Sequence, residues 1–378
     1  MKTLCVEGWR RIHHSYAMVN QWQLLSLSKR TDVSLRTKDL PFYNGQWQPR
    51  RGLFDGQDES RLEAISAPAS HEAVDAVYRI AYPFDFSSMD KARTFVFGTS
   101  EYQCLNDMNF RAPFDVNALA RSDRFHVITP SFWSRQGFLR LGLREDQVRV
   151  VPHGVASHIF FPSTSAREAF RERMNLTSFV FGNASAMTDN KGIDLLLRAF
   201  AAVTERHPEA RLLMKGADDL YASKEYLSKA LSDLPVAAKT RVADRLLYDG
   251  ATLSTARMAD FYRAIDAYVS PYRAEGFNLP ALEAVASGTP VISTRGGPTD
   301  EFLGKEFALF IDSKRTPFVR GGTRLEPDLD HLINLMSNVI DASTWRIQAS
   351  KIGASHAAVN FNWDAIAAQL IDTIFDVD

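Results

Sequence analysis

Short apolar runs alternate with longer amphipathic stretches along most of the chain, and this alternation predicts a series of strands and helices. The run TLCVEG at residues 3–8 ends in glycine, and residues 15–30 then repeat apolar side chains at helical spacing, with Ser15 as the expected N-cap. Runs such as those at 93–102 and 124–131 are short, apolar and bounded by turn residues, as expected for strands of a parallel sheet. The pattern therefore indicates an α/β protein with a doubly wound sheet.

The pattern is interrupted at residues 157–165, which have no clear periodicity, and it then starts again with the strand-like run SFVFGNAS. Two such series in a chain of 378 residues predict two Rossmann-like domains that face each other. We place these domains at residues 1–156 and 157–360, with a further helix beginning at residue 361. Residues 313–328 form a predicted loop that is longer than most connections, and we assign it no role.

The densest group of signals lies in residues 270–301, SPYRAEGFNLPALEAVASGTPVISTRGGPTDE. An apolar run ends at Pro271, Pro280 suits the first turn of a helix, and Gly288 is a natural helix end. The run TPVIST predicts the next strand. Strand, loop, helix and strand make a parallel βαβ unit, so we expect the loop at the carboxyl edge of the sheet, where open α/β sheets bind ligands.

Two carboxylates of this unit are spaced to face one crevice, since Glu275 lies on the loop and Glu283 in the first turn of the helix. A ligand whose hydroxyls flank a phosphate would engage both carboxylates and the helix N-terminus between them. From the residues alone, the alternative stays open that Glu275 caps the turn and Glu283 is solvated. The backbone N–H groups predicted to form the anion site are those of Gly276, Phe277, Asn278 and Leu279.

The segment EGFNLPALEAVASGTPVIST resembles the E-x7-E motif of retaining glycosyltransferases with the GT-B fold, in particular the large family 4. Residues 129–155 and 192–200 are similar to other segments of that family, so the resemblance is clear over residues 120–375 and weak before them. It implies two facing Rossmann-like domains with a cleft between them. It also implies that the helix at 361–378 packs back on the first domain.

By matching position, the resemblance implies that Glu275 contacts the donor sugar and that Glu283 holds the ribose hydroxyls, while the loop amides contact sugar and phosphate. Lys191, in the segment NKGIDLLL, matches the lysine of the family and would neutralise a departing diphosphate. By residue type alone, a solvated lysine is the commoner case. The two residues assigned to catalysis are therefore Glu275 and Lys191.

One position departs from the family pattern, because relatives usually carry an arginine where this chain has Asn183. Arg273 or Arg295 could supply the missing charge, although either could equally be an ordinary surface residue. Gly296, with the glycine after it, resembles the GG loop of the family; the alternative is a simple turn. We assign Asn183, Arg273 and Gly296 to the donor site.

The first domain contains candidate binding residues that the sequence supports less strongly. Gly8 is predicted to let the backbone approach the donor phosphates, and His13 and His14 lie in the loop that follows. Histidine pairs in loops are more often solvent-facing than catalytic. Glu101 ends a neighbouring strand, where some relatives carry a histidine or an acid near the reacting carbon. We assign His13, His14 and Glu101 to the acceptor side.

Composition and charge limit the kinds of binding partner and the cellular setting expected for the protein. The net charge of −1, with acids and bases interspersed, argues against nucleic-acid binding. Two cysteines, Cys5 and Cys104, are too few for a disulfide framework and favour a cytoplasmic setting. No apolar segment approaches the ~20 residues that span a bilayer, so contact with a membrane-bound acceptor would be peripheral, at the inner face. The sequence does not indicate an oligomeric state.

These observations predict a metal-independent, retaining hexosyltransferase that uses a nucleotide-diphosphate sugar as co-substrate and a glycan, lipid or small molecule as acceptor. No cofactor is expected. Because the family lacks an agreed nucleophile, the resemblance implies a front-side mechanism. The alternatives are a non-catalytic nucleotide-sugar-binding protein and a GT-B phosphorylase or epimerase. The donor base and sugar are not predicted.

Overall fold

The computed structural model describes residues 1–86 and 92–375. The chain folds into two compact units. The first contains Met1–Gly154, Phe318–Gly322 and the residues from Phe361 onward, and the second contains Val155–Pro317 and Thr323–Asn360. The helix predicted at 361–378 is described as far as Phe375, and its last three residues lie outside the described part.

The first unit is built on a six-stranded parallel sheet in the order β2-β1-β3-β4-β5-β6. Its strands are β1 (Lys2–Gly8), β2 (Val33–Asp39), β3 (Ala76–Ile80), β4 (Arg93–Phe97), β5 (Phe125–Thr129) and β6 (Val148–Val150). Its helices are α1 (Ser15–Leu27), α2 (Gly56–Ala64), α3 (Val116–Ala120), α4 (Phe132–Leu141) and the late helix α13 (Trp363–Phe375).

Helix α1 is buried along nearly its whole length, because it contacts strands β1 and β3 as well as helices α2 and α13. Its N-cap is His14 rather than the predicted Ser15, since the His14 Nδ1 atom accepts a hydrogen bond from the backbone N–H of Tyr16 at 3.2 Å. The periodicity of the apolar residues predicts this helix, whereas a histidine cap has no common sequence signature.

The second unit also has a six-stranded parallel sheet, in the order β12-β11-β10-β7-β8-β9. Its strands are β7 (Val180–Ala184), β8 (Arg211–Lys215), β9 (Leu246–Asp249), β10 (Ala267–Ser270), β11 (Val291–Thr294) and β12 (Ala308–Ile311). Its helices are α5 (Thr164–Arg173), α6 (Ile193–Arg206), α7 (Ser223–Ser232), α8 (Val236–Ala243), α9 (Thr255–Ala264), α10 (Leu279–Ala286), α11 (Leu329–Asp341) and α12 (Ser343–Asn360).

The core of the second unit forms where α6 covers the sheet. Leu196 and Phe200 of α6 are fully buried in one cluster with Phe181 of β7 and Val269 of β10. Every residue of the four-residue strands β10 and β11 is buried. Such strands read as continuous apolar runs because both of their faces are covered.

The predicted long loop at 313–328 is in fact a pair of strands, β13 (Ser313–Phe318) and β14 (Gly322–Pro327). Strand β14 buries Gly322, Leu325 and Pro327, whereas no residue of β13 is fully buried. Charged residues occupy many of these positions, so the apolar alternation that would have revealed a hairpin is weak.

Candidate active site

The site predicted from residues 270–301 lies at the point where the strand order of the second sheet reverses. The chain runs outward from β7 through β8 to β9 and then returns to β10 on the other side of β7. At such a reversal the loops after the two central strands diverge and leave a crevice at the carboxyl edge. Here these loops are held together, because the Arg273 N–H donates to the Asn190 carbonyl at 2.7 Å and the Asn190 side chain donates to the Ala274 carbonyl at 3.2 Å.

The structure brings the two predicted catalytic residues into direct contact. The Lys191 Nζ atom donates to Glu275 Oε1 at 2.9 Å, and the side chains are only 16% and 12% exposed. Lys191 ends the short 3-10 helix Asp189–Lys191, so this residue directly precedes the N-terminus of the 14-residue helix α6. The charge of Lys191 and the N-terminus of helix α6 are both positive, and both favour an anionic ligand.

Gly192 explains how the two loops come so close. Its φ is +68°, and a Cβ atom there would lie 2.0 Å from the Pro271 carbonyl oxygen. Only glycine combines the left-handed conformation with this approach. The glycine of the NKG segment is therefore required by packing as well as by conformation.

The loop that carries Glu275 enters α10 through Asn278, whose φ is +77°. The Asn278 side chain donates to the Ser270 hydroxyl at 2.9 Å, so it fixes the loop to the end of β10 rather than capping the helix. Phe277 is buried and stacks on Phe302 with ring centroids 4.8 Å apart. Of the predicted amide positions, Phe277 and Asn278 therefore have side chains that hold the loop, and Leu279 is the first helical residue.

Glu283 is partly buried and accepts a hydrogen bond from the Tyr262 hydroxyl at 2.8 Å. Burial raises the pKa of its carboxyl from 4.5 to about 7. Burial raises the pKa of the Tyr268 phenol in β10, and the charges of Glu275 and Glu283 raise it further while that of Lys191 lowers it. Each carboxylate of the predicted pair therefore has its own partner, Lys191 for Glu275 and Tyr262 for Glu283.

The raised pKa of Glu283 predicts a pH-dependent stability. The Glu283 carboxyl binds its proton more tightly in the folded state than in the unfolded state. The contribution of this protonation to the stability of the fold is therefore complete below about pH 4.5, and it is lost as the pH rises to about 7. Relative to Glu283→Gln, the wild-type midpoint of thermal unfolding is expected to fall between pH 5 and pH 8. The exposed Glu168→Gln is the matched control and should parallel the wild type. Parallel wild-type and Glu283→Gln profiles would contradict this prediction.

Asn183 lies inside the sheet rather than in the crevice. It is 1% exposed, its Nδ2 donates to the Val269 carbonyl at 2.8 Å, and its Oδ1 accepts from the Ser185 hydroxyl at 2.9 Å. The amide thus bridges β7 and β10 at the strand reversal. This geometry supports a structural role and opposes the predicted donor contact.

Arg273 is committed to an ion pair, which opposes its prediction as the replacement for the missing arginine. Its guanidinium contacts both carboxylate oxygens of Asp194 at 2.6 Å, and Glu326 of β14 lies 3.5 Å from its Nε. The Leu325 N–H also donates to the Arg273 carbonyl at 2.8 Å. The hairpin β13–β14 therefore supports the loop that carries Glu275. Arg295, the other candidate, is largely exposed and lies 3.4 Å from Asp312.

The two glycines after β11 are held by packing. Gly296 has a φ of +87°, and its N–H donates to Asp300 Oδ2 at 2.8 Å. A Cβ atom on Gly297 would lie 2.3 Å from the Tyr272 hydroxyl. The predicted GG loop is thus a tight turn at the same sheet edge, and the Arg315 guanidinium donates to the Gly296 carbonyl at 3.0 Å.

In the first unit the predicted residues have mainly structural contacts. A Cβ atom on Gly8 would lie 2.7 Å from the Asn20 amide and 2.8 Å from the Ile80 carbonyl, so this glycine lets α1 and β3 approach β1. Burial, with His13 nearby, lowers the pKa of His14 to about 4, so this helix cap is neutral and poorly placed for acid–base chemistry. His13 and Glu101 are partly exposed, and the Glu101 carbonyl accepts from the Trp133 indole at 2.8 Å.

Residues that the sequence did not single out complete the site. Tyr262 holds Glu283, Asp194 holds Arg273, and Tyr268 lies among the charged groups. Among residues 1–86 and 92–375, no three His, Cys, Asp or Glu side chains meet as metal ligands. In the same ranges, no helix is long and apolar enough to cross a membrane.

Residues 178–319 match the family model of glycosyl transferases group 1, which confirms the resemblance predicted from the E-x7-E segment. That match covers β7 to the hairpin, including Lys191, Glu275 and Glu283.

Individual proteins are also similar to this chain in sequence. The mannosylfructose-phosphate synthase of Agrobacterium fabrum is 31% identical over 234 residues, which cover 61% of this chain and 48% of that protein. The D-inositol 3-phosphate glycosyltransferase of Acidothermus cellulolyticus is 30% identical over 224 residues, 57% of this chain and 48% of that protein. The chain thus aligns with about half the length of the relatives it matches.

Solved structures share the fold over the whole chain. The sucrose-phosphate synthase of Thermosynechococcus elongatus superposes with a TM-score of 0.69 at 19% identity and with full coverage of both chains. The Anabaena protein HepE, crystallised with UDP and glucose, gives 0.69 at 14% identity, again with full coverage. The predicted GT-B class, with two Rossmann-like domains, is confirmed.

Proposed function

We propose that the protein is a retaining glycosyltransferase that moves a hexose from a nucleotide-diphosphate sugar to an acceptor hydroxyl. The observation that carries this proposal is the 2.9 Å contact between Lys191 and Glu275 at the strand reversal of the second sheet. It supports a donor site because a cation, a helix N-terminus and a carboxylate converge where open α/β sheets bind nucleotides.

The charges assign roles within the donor site. Lys191 and the N-terminus of α6 would face the diphosphate, and Glu283 would accept hydrogen bonds from ribose hydroxyls. Glu275 would orient the sugar while it holds the Lys191 ammonium in place. Asn183 is uncharged, and Arg273 pairs with the carboxylates of both Asp194 and Glu326, so we assign the role of cation for the leaving group to Lys191.

In the transfer step the bond between C1 of the sugar and the diphosphate oxygen breaks, and that oxygen keeps the electron pair. The acceptor hydroxyl oxygen bonds to C1 on the same face, and its proton passes to the leaving diphosphate. Lys191 stabilises the negative charge that develops, as electrostatic stabilisation of a leaving group requires. No metal ion is needed for this role in our proposal.

A screen of UDP-, GDP- and ADP-hexoses with hexose and sugar-phosphate acceptors tests the proposal, read out by nucleoside diphosphate release and by the anomeric configuration of the product. We expect one base class to give release with retention, unchanged by EDTA. Inclusion of sugar phosphates follows from relatives named for inositol 3-phosphate and for mannosylfructose phosphate. Thermal stabilisation by a donor without release would favour a binding protein, and no effect of any donor would contradict the proposal.

A further inference from the structure

The first unit contains a cavity of about 430 Å³ that none of the residues discussed so far explains. Most of its lining comes from the segments that follow β1, β2, β3 and β4, with Trp9, Phe42 and Tyr82 among the lining residues. Strand β1 lies between β2 and β3, and the chain runs from β1 outward to β2 before it returns to β3. The cavity therefore lies at the strand reversal of the first sheet, the position that open α/β sheets use for ligands.

Aromatic rings dominate the lining, and they are not stacked on one another. Tyr43 and Tyr82 meet edge to face at 5.9 Å, and Trp9 and Phe42 do so at 6.1 Å. Tyr43 is 62% exposed, which is unusual for a large aromatic side chain that has only a packing role. Edge-to-face pairs hold the rings in fixed orientations without using both faces of each ring. The aromatic residues of the lining are Trp9, Phe42, Tyr43, Tyr82 and Phe110.

The charged groups of the lining balance one another. Arg79 is buried, and its Nε donates to Glu7 Oε2 at 2.6 Å, so its charge is compensated. Asp85 and the exposed Arg111 bring one charge of each sign. A near-neutral lining gives no preference for an anion, while charged side chains among the rings disfavour an acyl chain.

A second cavity in the same unit, of about 280 Å³, differs from the aromatic cavity in the charge of its lining. Arg10, Arg11, Arg50 and Arg51 line it together with Glu59 and Glu63, and Arg51 pairs with Glu63 at 2.8 Å. Arg10 and Arg11 also pair with Asp39, at 2.6 and 3.3 Å. The arginines still outnumber the glutamates of this lining, so a phosphate would be drawn to this pocket rather than to the aromatic cavity. The two cavities thus differ in the charge of the ligand that each one suits.

We propose that the aromatic cavity binds the ring of an uncharged carbohydrate, which serves as the acceptor. This assignment rests on the proposed transferase function. A sugar ring has apolar C–H faces that pack on aromatic rings and hydroxyls at its edge that bond to groups such as Asp85 and Arg111. The volume suits a mono- or disaccharide, since small-molecule sites span about 300–1,000 Å³.

The test uses the full chain and needs no donor. Saturation-transfer NMR with methyl hexosides and neutral disaccharides is expected to show transfer to the ring C–H protons. Tyr82→Ala should weaken binding about tenfold, whereas Tyr82→Phe should retain it. Tyr226→Ala, an exposed aromatic of α7 in the other unit, is the matched control. A far-UV circular dichroism spectrum of Tyr82→Ala that matches that of the wild type shows that the variant is folded.

The outcomes separate the two proposals. Sugar binding that Tyr82→Ala abolishes, without nucleoside diphosphate release by the wild type, would support the cavity and overturn the transferase function. Release with an acceptor KM that Tyr82→Ala leaves unchanged would do the opposite. Binding confined to phosphorylated sugars and lost in Arg50→Gln, or competition by an alkyl-chain detergent instead of sugars, would overturn the assignment of a neutral sugar to this cavity.

Discussion

Replacement of Lys191 by methionine is expected to lower the rate of nucleoside diphosphate release about 10²–10³-fold, with a smaller effect on donor affinity. The reason is that an ammonium beside a helix N-terminus stabilises charge that develops mainly in the transition state, and removal of one such preorganised group typically has this cost. Steady-state kinetics with the donor identified in the screen measures kcat and KM separately and so shows which of the two the substitution changes.

Two further variants make the result specific. Lys305→Met removes an exposed lysine of the same unit and should leave the rate unchanged. Lys191→Met also leaves Glu275 without its ion-pair partner, so the double variant Lys191→Met/Glu275→Gln shows whether the loss comes from the stranded carboxylate. A raised KM with an unchanged kcat would instead mean that Lys191 binds ground state and transition state equally.

The second large effect is expected from Gly192→Ala. The added Cβ would lie 2.0 Å from the Pro271 carbonyl oxygen, and the backbone would have to keep a φ of +68°. The conformation alone costs about 1–2 kcal/mol, and the clash forces apart the two loops that bring Lys191 to Glu275. We expect loss of donor-induced stabilisation and a fall of several degrees in the midpoint of thermal unfolding.

Gly52→Ala separates the two causes. Gly52 has a φ of +81°, but a Cβ atom there would meet nothing within 4 Å, so this variant carries the conformational cost without a clash. It should lower the unfolding midpoint less and leave the response to donor intact. Equal effects of the two substitutions would show that contact with Pro271 is unimportant.

The site is predictable from the sequence where its signals are local. Pro280 at the start of α10 and the left-handed Gly288 that follows the helix mark both of its ends. The alternation of apolar runs predicts both sheets because parallel strands buried on two faces are continuous apolar segments. The prediction of the GT-B class rests on these features and on the E-x7-E spacing.

The contacts that the sequence does not predict are those between residues that lie far apart along the chain. Arg273 is a candidate phosphate ligand by sequence, but its partner Asp194 is 79 positions earlier, and Glu326 comes from a hairpin that the sequence predicts as a loop. Glu283 pairs with Tyr262 across two helices. Gly8 meets Asn20 and Ile80. Pairings of this kind follow from how elements pack, and a single sequence does not encode them in any local pattern.

The late position of helix α13 in the chain determines when the first unit can complete its fold during synthesis. Its Trp363 packs against Gly154, where a Cβ atom would lie 2.7 Å from the indole, and its Asp364 pairs with Lys29 of the first unit. The ribosome therefore delivers residues 155–360, which include the whole second unit, before the first unit can close its core. A nascent chain would expose the α13-binding face of α1 throughout that interval, so this face is where a chaperone would be most needed.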